Sequence, residues 1–99
     1  MLHIVVKSHT QTSSLQSCLR LAQDGHALLL IEDAVYAASC AAVETSGIAE
    51  AMPRLKIYVL QPDLQARGIA GKLVEGVSAV DYAGFVGLVA EHSTSQTWL

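Results

Sequence analysis

Apolar residues along this chain fall into short clusters separated by polar loops, and their spacing switches back and forth between strand-like and helix-like. Leu2 to Lys7 is rich in β-branched residues and predicts a first strand. A polar loop, Ser8 to Ser14, follows, with Ser13 or Ser14 as the expected cap of a helix running to about Asp24 and stopped by Gly25. Leu15, Cys18, Leu19 and Ala22 fall at i, i+3, i+4 and i+7, so they share the inward face of that helix. The next cluster, Ala27 to Ile31, is apolar without alternation and lies between Gly25 and the carboxylates Glu32 and Asp33. Such a run fits a strand buried on both faces, which places Leu28 to Ile31 inside a parallel sheet. Asp33 is expected to end it and to cap a helix over Ala34 to Ala38.

Ser39 to Pro53 is small and Ala-rich, broken by Gly47 and Pro53. Arg54 to Leu60 predicts a third strand. Pro62 opens a short helix that Gly68 closes. After a connector from Gly71 to Gly76, Val77 to Val80 predicts a fourth strand, and Asp81 caps a final helix. Tyr82, Phe85, Val86 and Val89 again mark an i, i+3, i+4, i+7 face, expected to pack on the sheet, and Gln96 to Leu99 add an edge strand. Strands alternating with helices through short loops imply an α/β fold: one domain over residues 1–99, a three-layer sandwich with a mostly parallel sheet of four to five strands and helices on both faces.

Composition narrows the function classes. The chain has 99 residues, 52% of them hydrophobic and 15% charged, so it has little core volume in which to hide its large side chains and is expected to carry apolar contact surface. A net charge of −3 with scattered acids offers no basic stripe for nucleic acid. No apolar run approaches the ~20 residues that span a bilayer, and Met1-Leu2-His3 leads straight into a strand, so a cytoplasmic location without membrane contact is expected. Cys18 and Cys40 form neither a CxxC pair nor a metal-ligand spacing, and a reducing cytosol keeps them as thiols.

Chemical sites are sparse. Glu32 and Asp33 are adjacent, so their side chains point apart, and no third carboxylate is placed to complete a cation site. Ser8 to Ser14 lacks the glycines of a phosphate loop, and His3, His9, His26 and His92 form no zinc or triad pattern; they are expected at the surface or at strand ends. No cofactor is implied. Cys40 has no assigned role. Cys18 reads as a small hydrophobe of the helix stripe, against a reactive reading supported by its position about one turn inside the helix and by Arg20 nearby. Trp98 needs something to cover it, and with Tyr36 and Tyr82 it is an expected interface anchor, near the acidic turn or the C-terminal segment.

A resemblance runs through the whole chain. Met1-Leu2-His3 to Lys7-Ser8, Ser14-Leu15 to Cys18-Leu19, Leu30-Ile31-Glu32-Asp33 to Tyr36-Ala37-Ala38, Tyr58-Val59-Leu60 to Asp63-Leu64 to Ala66-Arg67-Gly68, Val80-Asp81-Tyr82 to Phe85-Val86, and Gln96 to Trp98 come in the order seen in the DsrH/TusB family. The resemblance implies a DsrE-like fold and a subunit of a sulfur-relay complex similar to the DsrEFH and TusBCD heterohexamers. Its partners there are DsrE/TusD-like and DsrF/TusC-like chains. In that family a cysteine on a sister subunit carries most of the persulfide and passes sulfur to a DsrC/TusE-type acceptor, either for tRNA wobble 2-thiouridine synthesis or for intracellular sulfur oxidation. Cys18 matches a cysteine that DsrH proteins of sulfur oxidisers carry and some TusB proteins lack, which leans toward the DsrH branch. Two roles then compete: a non-catalytic interaction subunit, which is favoured, and an accessory sulfurtransferase using a Cys18 persulfide.

Overall fold

The computed structural model describes residues 1–99. Five parallel strands, β1 Leu2–Val5, β2 Ala27–Leu30, β3 Lys56–Leu60, β4 Ser78–Val80 and β5 Ser95–Trp98, lie in the order β4-β3-β2-β1-β5. Four α-helices, α1 Ser14–Leu21, α2 Ile48–Ala51, α3 Gln61–Ala66 and α4 Tyr82–Glu91, cover the sheet, with 3₁₀ turns over Glu32–Ala38 and Ala70–Lys72. The expected α/β sandwich with a parallel sheet and helices on both faces is the one observed.

β2 is the middle strand, and all four of its residues are buried. Leu28 and Leu30 point into the larger core with Val5, Ile57 and Val59, whereas Ala27 and Leu29 point into a smaller one with Leu2, Ile4 and Leu88. A strand covered on both faces has no use for polar residues, which is why the run does not alternate. Burial of each leucine is worth roughly 2 kcal/mol.

The two faces are unequally covered. Leu15 and Cys18 of α1, Ala34, Val35, Ala37 and Ala38 of the 3₁₀ turn, Ile48 and Ala51 of α2 and Leu64 of α3 all enter the larger core. On the other face α4 contributes Leu88 alone as a buried side chain. The face of α4 expected to meet the sheet does not do so. Tyr82, Val86 and Val89 are 62%, 68% and 42% exposed, and only Phe85 of that set is half-buried against the smaller core. The physical reason is that α4 is apolar on more than one side, so periodicity offers several faces. The sheet takes the one whose glycine permits close approach: a Cβ on Gly84 would stand 2.8 Å from Val80 Cβ.

Several ends also differ from expectation. α1 stops at Leu21, because the Arg54 guanidinium takes the carbonyls of Leu19 and Ala22 and the chain turns extended at Ala22. Gly25, at φ +87°, instead shapes the turn into β2. Neither Ser13 nor Ser14 caps α1 through its side chain; Thr12 Oγ1 accepts the Ser14 N–H at 3.3 Å, and the Ser14 hydroxyl donates to the Leu99 carbonyl at 2.7 Å. Asp33 does not cap the helix after β2, which is 3₁₀ rather than α. The Glu32 N–H is satisfied from across the edge by Asp63 Oδ2 at 2.7 Å. Pro62 in the first turn of α3, Gly68 at φ +68° after it, and Asp81 accepting the Gly84 N–H at 2.8 Å are as expected.

Candidate functional site

In open parallel sheets the carboxyl ends of the strands are where loops converge and ligands bind. Here the loops after β1 and β2 form a shallow hollow lined by Ser8, His9, Thr10, Gln11, Asp33 and Tyr36. Glu32 begins its second wall with φ +49°, a left-handed conformation unusual for a residue with a side chain. The Glu32 N–H bond to Asp63 holds it there. Arg67 ties the wall together. Its Nε donates to Asp33 Oδ1 at 2.8 Å and its Nη1 lies 3.6 Å from Asp63 Oδ1. The bond to Asp33 raises the Arg67 pKa above its ordinary value, so the guanidinium stays charged. Asp33 and Asp63 are thereby engaged within the chain, and no group of three His, Cys, Asp or Glu is placed to hold a metal ion. The crevice between the ends of β1 and β5, where the strand order reverses, is bridged by the Ser14–Leu99 bond.

Cys18 lies away from this edge. It is fully buried in the larger core, and burial pushes its thiol up to about 12, with Arg54 pulling the other way and losing. Since the thiolate is the nucleophile, a rise from 9.0 to about 12 removes about a thousandfold of its reactive form at neutral pH. Mild thiol labelling of the native chain should therefore modify the exposed Cys40 and leave Cys18 at least about a thousandfold slower than in denaturant. Equal rates for Cys18 in both states would refute its burial.

The three aromatic residues expected as interface anchors do not converge. Tyr36, 38% exposed, stands at the hollow. Tyr82 stands on the open face of α4, where Tyr82, Phe85, Val86, Val89 and Ala90 make a wholly apolar patch. Trp98 is half-buried on edge strand β5, packs against the larger core and donates from Nε1 to His3 Nδ1 at 3.2 Å. His3 corrects an expectation: it is 3% exposed rather than at the surface. It shares the face of β1 that carries Val5, and the strand's period of two was the signal for it. The periodicity reading missed that signal because it tracks apolar residues only.

Residues 7–95 match the family model described as DsrH like protein. The chain belongs to the DsrH family. Among curated relatives, Protein TusB of Escherichia coli O81 (strain ED1a) and Protein TusB of Shigella flexneri are each 35% identical to it over 100 residues, covering 99% of this chain and 100% of theirs. The fold is also that of the ychN protein from E. coli, with a TM-score of 0.81 at 18% identity over 98% of this chain and 97% of that one. A protein of unknown function from Methanobacterium thermoautotrophicum has a TM-score of 0.73 at 17% identity, covering 97% of this chain and 95% of its own. The family-model match takes in α1 to α4 and β2 to β4 and ends at the first residue of β5, while the alignment with TusB covers 99% of this chain.

Proposed function

We propose that this chain is the structural and interaction subunit of a cytoplasmic sulfur-relay complex similar to DsrEFH and TusBCD. In this reading it sits beside DsrE/TusD-like and DsrF/TusC-like chains, a sister cysteine carries the persulfide, and a DsrC/TusE-type protein accepts it. The observation that carries the reading is the apolar face of α4, a surface without a single polar lining residue on a protein whose family members are relay subunits. The burial of Cys18 supports it further, since a persulfide carrier must meet both donor and acceptor. Full-length similarity to TusB supports wobble 2-thiouridine synthesis as the pathway served, while the presence of Cys18 supports sulfur oxidation. Neighbouring dissimilatory sulfite reductase genes would mark the second.

The test is mass spectrometry of the assembled complex after incubation with a sulfur donor. An added sulfur atom on the sister subunit and none on Cys18 is the expected result. A persulfide on Cys18 that chases onto the acceptor would instead establish the accessory sulfurtransferase role.

A further inference from the structure

Residues from both ends of the chain and from the turn before β2 form one hydrogen-bonded row. Trp98 Nε1 donates to His3 Nδ1 at 3.2 Å, and His3 Nε2 lies 3.0 Å from His26 Nδ1, which also accepts the Gln23 N–H at 3.2 Å. An indole nitrogen only donates. His3 Nδ1 must therefore be bare, and the proton of the neutral ring sits on Nε2, aimed at His26 Nδ1. His26 Nδ1 already accepts twice, so its own proton is on Nε2. Each atom of the row has a partner of the right kind only while both rings are neutral. A second proton on His3 would set two N–H groups head to head at Trp98, and one on His26 Nδ1 would face two donors. His3 is 3% exposed, so water has little room to mediate.

The surroundings offer an imidazolium no relief. Burial is the main influence that lowers the His3 pKa below its ordinary 6.5, followed by His26 and the terminal ammonium of Met1. β2 and β5 carry no charged side chain. α1, packed over β1 and β5, turns Leu15 and Cys18 inward and leaves its one charged residue, Arg20, exposed. Asp24 of the turn before His26 is exposed and lies 3.7 Å from Arg54, and Lys56, at the start of β3, is exposed. Beyond Trp98, Leu99 is 78% exposed, so its carboxylate is solvated, and one of its oxygens accepts from the Ser14 hydroxyl.

We infer that His3, His26 and Trp98 form an acid-released latch that holds the C-terminal strand against β1. β5 is an edge strand bonded on one side only, and its residues Ser95 to Thr97 are exposed, so it belongs to the part of the fold that opens locally at least cost. The sign follows from the depressed histidine. The folded state prefers the neutral ring, so the latch is at full strength above about pH 6.5 and weakens as the pH falls from there through the folded pKa. The inference does not depend on the sulfur-relay role.

Trp98 is the only tryptophan, which makes the full chain its own reporter. Between about pH 7.5 and 5.5, opening of β5 should rise toward a limit of about tenfold. It is read from β5 amide exchange corrected for intrinsic pH dependence and from acrylamide quenching of Trp98, with Leu29 and Leu30 staying protected. His3→Gln keeps an acceptor for the indole but cannot titrate, so it should keep Trp98 covered at neutral pH and lose the acid response. A wild type with no such response, or a His3→Gln variant that keeps it, overturns the latch. Nitrogen NMR of the wild-type rings decides the matter if the variant does not fold. A bare His3 Nδ1 persisting below about pH 6.5 supports the latch, and a ring that titrates at or above its ordinary value without moving the Trp98 indole signal overturns it.

Discussion

Replacing Leu28 by alanine should cost the isolated chain about 3 kcal/mol of stability, within the range for buried leucines. Leu28 is fully buried on the middle strand, opposite His3 on β1 and Ile57 on β3, and points into the larger core. Neighbours held on both sides by strand pairing cannot collapse into the vacated space, so the cavity remains. A domain of this size has roughly 5–15 kcal/mol in all, and the loss should lower the melting temperature by roughly 12–24 °C. Val86→Ala is the control: Val86 is 68% exposed, and its truncation should stay within about 0.5 kcal/mol. Thermal or urea unfolding of the two variants gives the comparison. Equal effects, or a Leu28→Ala cost under about 1 kcal/mol, would mean that β2 is not the buried centre.

The same exposed valine should matter most once partners are present. Val86→Glu puts a charge in the middle of an apolar patch that the isolated chain leaves open, so the monomer should melt as the wild type does. Assembly with DsrE- and DsrF-like subunits should weaken by about 2 kcal/mol or more, roughly thirtyfold, if this patch is the contact centre. Tyr82→Ala should act in the same direction, since Tyr82 stands on the same face. Light scattering of mixtures, with each variant in turn, reads the loss. Intact assembly with Val86→Glu together with a loss in Tyr36→Ala would move the contact to the carboxyl edge of the sheet. Trp98→Ala is a weaker discriminator, because Trp98 also anchors β5 to His3 and its removal loosens the chain itself.

Much of this molecule was legible one segment at a time. The unbroken apolar run at Ala27–Leu30 announced a strand covered on both faces, the β-branched runs announced β1 and β3, and Pro62, Gly68 and Asp81 marked helix ends by chemistry that acts within a few residues. Cys18 was placed on the inward stripe of α1 by spacing alone, and the open apolar surface followed from composition. These features depend on local backbone preference and on the fraction of apolar residues, both of which a linear sequence carries in full. What the tertiary structure decided were the choices between equal local options. Periodicity on an all-round apolar α4 cannot say which side meets the sheet; in the fold it is the side of Leu88 and Phe85 that reaches the smaller core. Asp33 was free to cap its own helix until Arg67, 34 residues away, offered it a charge-assisted partner and Asp63 took the Glu32 N–H instead. His3, His26 and Trp98 are polar or amphipathic residues at three separate places in the chain, and only parallel pairing of β1 with both β2 and β5 brings them within hydrogen-bond reach, because donor and acceptor geometry is a property of positions in space rather than of order along the backbone.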